Sequence, residues 1–267
     1  MSKRARSIAI QWGIFAVGLG AVGAVLYSTV SWAKLGDAYF RWDVFKAQFP
    51  VMITEGVVNT LFYTFIAFTG GLVFALIAAT MRQSQVVPAR WLATTYVEVL
   101  RALPALLTIL LVGYGIKIAF SDYEIPGFFN QNYGKGGLAL ALVAGAYMAE
   151  SIRAGLQAVP KGQTEAARSL GLSSRQTLRR IVMPQALRIV VPPLTNEFVL
   201  LLKDTSLLYV LGVTVGEREL VTIANQARSA SFNSTPLTAA AVCFIAITLP
   251  LTYLVKWVER RTEMRTR

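Results

Sequence analysis

The stretch EAARSLGLSSRQTLRRIVMPQ, Glu165 to Gln185, is polar and basic in a chain that is otherwise strongly apolar. Its local chemistry describes two short helices and a turn. Glu165 to Leu170 holds good helix formers. Gly171 stands where a left-handed residue closes a helix. Ser173 is placed to cap a second helix, and Gln176, three residues on, completes a capping box. Pro184 is expected to end or kink that second helix. Arg175, Arg179 and Arg180 fall close together on it. A solvated basic loop has the same composition, so the surroundings have to separate the two readings.

Those surroundings belong to a membrane. Hydrophobic residues make up 55% of the 267 and charged residues only 15%, and mean hydropathy is +0.53. Several apolar stretches reach the roughly 20 residues that cross a bilayer as a helix. The fold class is therefore an all-α integral membrane protein. A net charge of +12 would point to nucleic acid in a soluble chain, but here the cations gather in loops, and nucleic acid is not an expected partner. The chain has no histidine and one cysteine, Cys243. That excludes His-dependent catalysis and an internal disulfide, and no cluster of metal ligands is visible. Cys243 sits in an apolar run and reads as core. No GxxxxGK[ST] phosphate loop is present.

Six spans fit: Ile8–Val30, Ile53–Ala79, Trp91–Phe120, Gly137–Leu156, Val190–Leu211 and Pro236–Val255. The first follows Lys3, Arg4 and Arg6 but lacks a small-x-small cleavage site, so it reads as a helix and not a removed leader. The segment Trp32–Pro50 suits a membrane interface, and Ser121–Gly137 has the Pro and Gly content of a loop. Trp32, Trp42, Trp91 and Trp257 fall near predicted membrane surfaces, as interfacial anchors do. One set of cations comprises Lys3, Arg4, Arg6, Arg82, Arg90, Lys161, Arg168, Arg175, Arg179, Arg180, Arg188, Lys256, Arg260, Arg261, Arg265 and Arg267. It far outnumbers the opposite set of Lys34, Arg41, Lys46, Lys135, Arg218 and Arg228. The positive-inside rule then places both termini and the Glu165–Gln185 hairpin in the cytoplasm.

The spacing within the hairpin is more specific than its composition. Glu165-Ala166-Ala167, three residues, Gly171, nine residues, Ile181, two residues and Pro184 resembles the EAA loop of bacterial ABC importer permeases. Met183 stands where that family usually has Leu. From about Gly56 onward the chain is similar to the polar amino acid permease family, the histidine/glutamate/glutamine type. The pieces that carry the likeness are GVVNTLFYT (Gly56–Thr64), YVEVLRALPAL (Tyr96–Leu106), AESIRAGLQAVPKGQTEAARSLGL (Ala149–Leu172) and NEFVLLLKDTSL (Asn196–Leu207). The family often reads Arg-Gly-Thr-Pro-Leu-Leu where this chain reads Arg101-Ala102-Leu103-Pro104-Ala105-Leu106.

The resemblance implies a type I ABC importer permease fold, a five-helix core plus an N-terminal helix. It divides the chain into residues 1–52, the added helix and its connection, and 53–267, the permease domain with a coupling hairpin at about 160–186. It implies a bacterial cytoplasmic (inner) membrane. It also implies a cytoplasmic ABC ATPase dimer, a second permease subunit (a copy or a paralogue) and an extracytoplasmic amino-acid-binding protein. No cofactor is expected on this chain; ATP and Mg belong to the partner ATPase. Glu165, Ala166, Ala167 and Gly171 become the candidate ATPase-coupling residues.

Polar residues at membrane depth are the candidates for a substrate path. Glu98 and Arg101 share a helical face at i, i+3 and are expected to pair with each other or to line the path, with Pro104 bending the helix nearby. Glu150 and Arg153 repeat that spacing and read as structural or docking residues. Asn196, Leu200 and Lys203 share a face at i, i+4, i+7, with Glu197 beside them. Asn59 and Tyr63, with Thr60, add polar groups on the second span. Helix–helix contacts account for the same residues equally well. Glutamate, aspartate or glutamine is the expected cargo. A basic amino acid, an opine or another small solute carried by the same architecture is the alternative, and a non-transporting membrane anchor is the rival from another class.

Overall fold

The computed structural model describes residues 3–120 and 127–264. Arg265, Arg267 and the first part of the predicted Ser121–Gly137 loop lie outside the described residues. Helices α1 (Lys3–Thr29), α2 (Trp32–Tyr39) and α3 (Trp42–Val51) come first. A π-helical turn, Met52–Val57, leads without a break into α4 (Val58–Arg82). Then follow α5 (Val87–Ala102), α6 (Ala105–Ala119), α7 (Gly127–Asn130) and α8 (Asn132–Gln157). The hairpin comprises α9 (Lys161–Ser169), α10 (Ser174–Thr177) and a second π turn, Leu178–Val182. The chain continues through α11 (Met183–Asp204), a 3₁₀ turn (Thr205–Leu211), α12 (Leu220–Ser231) and α13 (Thr235–Met264). Among the described residues, five helical runs are long and apolar enough to cross a membrane, and α5 with α6 makes a sixth if that bent pair is one span.

Helices α4 and α8 form the centre. In lipid the surrounding tails are as apolar as the side chains, so association depends on close contact. Small residues supply it. A Cβ on Gly71 would lie 3.0 Å from Ala144 Cβ and 3.2 Å from the Gly145 nitrogen. A Cβ on Gly145 would lie 2.6 Å from the Tyr96 hydroxyl and 2.7 Å from Phe74 Cβ. Tyr96 uses that hydroxyl to donate to the Leu142 carbonyl at 2.7 Å. Around this seam Tyr63, Ala67, Val97, Ile109, Leu140, Met148, Leu201 and Leu208 are buried in one cluster.

A second cluster joins Met52, Leu220, Ile223, Ala239, Ala240 and Cys243. Cys243 is buried there, as core. Helices α2 and α3 dock beside this cluster. Asn233 Nδ2 donates to the Asp37 carbonyl at 2.7 Å, and the Arg41 nitrogen donates to Thr235 Oγ1 at 3.0 Å. The Trp32–Pro50 segment is thus helical but for Phe40 and Arg41, a regularity that its mixed composition hides. Trp32, Trp42, Trp91 and Trp257 are all exposed. Helix α1 is apolar and exposed throughout its described side chains, which leaves them for lipid.

Two expectations need correction. The third span, read as Trp91–Phe120, is not one helix. It breaks between Ala102 and Ala105, and its halves are bent by 114°. Leu103 and Pro104 are extended, with ψ of 141° and 133°. Proline lacks the N–H that would bridge the break and excludes its predecessor from the helical region. Pro184 does not end the second hairpin helix. It sits in the first turn of α11, and the helical run passes through it. The π turn before it widens the backbone where a proline ring would otherwise meet the carbonyl four residues back.

Gly145→Val tests the central seam. Overpacking costs about 1–3 kcal/mol, so this variant should lose thermal stability in detergent, while Gly115→Val, which meets nothing within 4 Å, should not.

Candidate functional site

The hairpin is built as its sequence implied. Leu170 caps α9, and Gly171 follows with φ +83°. The Gly171 nitrogen donates to the Arg168 carbonyl at 3.0 Å and the Leu172 nitrogen to the Ala167 carbonyl at 3.1 Å. These two bonds are a Schellman closure. Ser173 Oγ accepts from the Gln176 nitrogen, and Gln176 Oε1 accepts from the Ser173 nitrogen, so the capping box is complete. Arg168 Nη1 donates to Ser174 Oγ at 2.7 Å across the turn. Ala167 is buried, while Glu165 and Ala166 face outward. Leu170 is 84% exposed at the tip. Arg175, Arg179 and Arg180 border a concave surface with Ser173 and Gln176.

Above the hairpin, Glu150 on α8 gathers three guanidinium groups. Arg153 Nε donates to its two oxygens at 3.1 and 3.0 Å. Arg82 Nη1, from the end of α4, donates at 3.0 Å. Arg101 Nη1, from α5, stands at 3.8 Å. Glu98 does not pair with Arg101, as expected from spacing, but with Arg82 at 3.5 Å, and its side chain is 62% exposed. The helical face that joins Glu98 to Arg101 turns toward α4 and α8, whose arginine and glutamate compete for both. The Glu150–Arg153 pair is present as expected.

Asn59 and Tyr63 lie at the other end and do not line an open path. Asn59 Nδ2 donates to the carbonyls of Gly216 and Arg218 at 2.9 and 3.0 Å. Tyr63 is fully buried and donates to the Glu217 carbonyl at 3.3 Å. The Tyr133 hydroxyl lies 2.7 Å from Asn59 Oδ1 and 2.8 Å from the Gly216 carbonyl, and its single proton serves one at a time. These side chains pin the connection between the 3₁₀ turn and α12. Arg218 completes the clasp with two bonds to Glu55, at 2.9 and 2.6 Å. Glu219 caps α12, accepting from the Val221 and Thr222 nitrogens at 2.5 and 2.6 Å. Burial pushes its carboxyl up to about 7, against the pull of those donors.

Glu55, Tyr133, Glu217 and Glu219, and the pairing of Arg218, are not evident from spacing alone. VGEREL, Val215–Leu220, held a signal: charges packed between two apolar runs imply partners.

On α11 the expected face is real. Asn196, Leu200 and Lys203 are exposed in register. Lys203 and Ser206 open onto a groove of about 460 Å³ whose other walls are Val221 of α12 and Leu237, Ala240, Ala241, Phe244, Ile245, Thr248 and Leu249 of α13. Among the described residues Lys203 is the one charged side chain lining it. Glu197 is partly buried beside this face, and no hydrogen bond or ion pair reaches it among the described residues.

Asn59→Leu removes the donor to two partly covered carbonyls, a loss of about 0.5–1.5 kcal/mol for each hydrogen bond. Faster hydrogen exchange at residues 212–219 is expected, with substrate preference unchanged.

The geometry has counterparts among known proteins. The family model described as "binding-protein-dependent transport system inner membrane component" matches residues 71–264. The probable glutamine ABC transporter permease protein GlnM of Bacillus subtilis (strain 168) is 36% identical over 213 residues, 79% of this chain and 94% of that protein. The glutamate/aspartate import permease protein GltK of Escherichia coli O6:H1 is 34% identical over 241 residues, 84% of this chain and 98% of that one. A crystal structure of an amino acid ABC transporter with histidines superposes with a TM-score of 0.71 at 35% identity, over 79% of this chain and 94% of that chain. The hairpin, the spans and these likenesses agree: the chain belongs to the binding-protein-dependent inner membrane components, as a multi-pass permease subunit of amino acid ABC importers.

Proposed function

We propose that this permease carries a small acidic or amide amino acid, with glutamate, aspartate and glutamine as the first candidates. The observation that carries the reading is Lys203, on the exposed face of α11, which brings a charge to a largely apolar groove. A lone ammonium in an apolar groove is a strong attractor for a carboxylate. Asn196 on the same face supplies an amide donor and acceptor. The similarity to GlnM and GltK, named for glutamine and glutamate/aspartate, supports the same class. Glu197, without a bonded partner among the described residues, favours the second reading, a basic amino acid.

In this proposal two permease subunits, copies or paralogues, enclose the path between their α11 faces. The basic hairpin and both termini lie in the cytoplasm, and an extracytoplasmic binding protein delivers the amino acid at the far end. A cytoplasmic ATPase dimer, holding ATP and Mg, binds the hairpins around Glu165, Ala166, Ala167 and Gly171. Each hairpin is short and doubly capped, so it transmits a domain rotation without melting. The loaded binding protein and ATP shift the population between outward and inward states.

Two tests follow. Lys203→Gln should raise the KM for uptake about tenfold or more, as loss of a charge-assisted bond of ~1.5–3 kcal/mol implies. Efficient uptake of arginine, with glutamate and glutamine as poor competitors, would favour the second reading. Gly171→Arg forces a side chain into a left-handed backbone and should abolish co-purification of the ATPase from native membranes, measured by mass spectrometry beside the parent chain.

A further inference from the structure

The hairpin hangs from two spans. Its leading edge continues α8 through residues 158–160, and its trailing edge continues into α11. The last turns of α8 carry Glu150 and Arg153, so the Glu150 carboxylate rides on the helix that leads into the hairpin. Its three arginine partners come from α4, α5 and α8 itself.

Arg101 is the next-to-last residue of α5, and the 114° break follows at once. Pro104 has no N–H, so no helical bond crosses the break there, and the direction of α5 against α6 depends on side-chain contacts. Two ionic contacts hold this end of α5: Arg101 to Glu150 and Glu98 to Arg82. The contacts around Glu150 are graded. Arg82 donates at 3.0 Å and is well covered, whereas Arg101 stands off at 3.8 Å and is over a third exposed. A second acceptor is within reach of Arg101. Glu98 lies three residues back on the same helical face and is mostly exposed. In this structure Arg101 faces Glu150 across on α8. A turn of its side chain toward Glu98 would leave Glu150 to Arg82 and Arg153.

We propose that Arg101, acting through Glu150, is a positioning residue that ties the α5–α6 break to the hairpin-bearing α8, and that exchange of Arg101 between Glu150 and Glu98 accompanies movement of the hairpin. The proposal rests on the ATPase-coupled reading above. It differs from that reading in placing the coupling inside this chain, at a salt-bridge exchange and not at the docking surface.

The test uses the assembled transporter in vesicles with its binding protein, and reads ATP hydrolysis and amino acid uptake together. Three variants are compared with the parent: Arg101→Gln, Arg101→Lys and Glu98→Gln. Arg101→Gln and Glu98→Gln should lower uptake per ATP hydrolysed about tenfold, while hydrolysis stays within about twofold of the parent. Arg101→Lys keeps the charge and should recover most of the lost uptake. Glu98 is exposed, so its amide variant reports on the exchange even if Arg101→Gln does not assemble. An unchanged ratio in Glu98→Gln, parallel loss of uptake and hydrolysis, or no recovery in Arg101→Lys would overturn the proposal. Failure of the ATPase reading itself shows separately, as a parent chain that purifies without any ATPase.

Discussion

The close approach of α4 and α8 is the constraint on which everything else depends. Between helices in lipid there is no hydrophobic effect to collect, only contact and hydrogen bonds. Gly71, Ala144 and Gly145 bring the two backbones near enough for contact to suffice. From that seam the polar equipment is displaced to the two ends. Arg82 closes one end of α4, where it meets Glu150 on α8. Asn59 and Tyr63 occupy the other end, where they meet Tyr133 on α8 and the connection before α12. A single helix pair therefore sets the distance between a charged collar at one end and a hydrogen-bonded clasp at the other.

The two ends differ in character. The clasp is closely bonded: Asn59 donates to two backbone carbonyls, Arg218 donates to the Glu55 carboxylate, and Glu219 accepts from the backbone of α12. Such networks specify one arrangement. The collar has more guanidinium groups than carboxylates, and one of its carboxylates, on Glu98, faces outward. Charges in that ratio, partly wetted, hold one another loosely. Rigidity sits at the clasp and adaptability at the end that bears the hairpin.

Much of this was legible in the sequence. The hairpin was readable residue by residue because caps are local chemistry: Gly171, Ser173 and Gln176 do in the structure what their types and spacing imply. The spans were readable because apolar length is a strong signal. What escaped was whatever depends on a distant partner. Spacing put Glu98 with Arg101, but α4 brings Arg82 to Glu98 and α8 brings Glu150 to Arg101. Asn59 and Tyr63 looked like path residues because an intramembrane amide and phenol are costly unless used. They are used, by carbonyls more than 150 positions away in the chain. Pro104 was visible as a bend, but its size was not, since the backbone of one extended dipeptide settles it. The permease fold and amino acid family follow from the sequence pattern, and the division of labour among the polar residues follows from tertiary contacts.

Helix α1 stands apart within this chain, with its described side chains turned outward and none of them part of either core cluster. A helix that shares no core escapes the packing constraints of the bundle. Gly13, Gly18, Gly20 and Gly23 of α1 have open space around them, where Gly71 and Gly145 of the central seam meet neighbours at once. Within this chain the described side chains of α1 answer to lipid alone, so this helix tolerates exchange of one apolar residue for another where the α4–α8 seam does not.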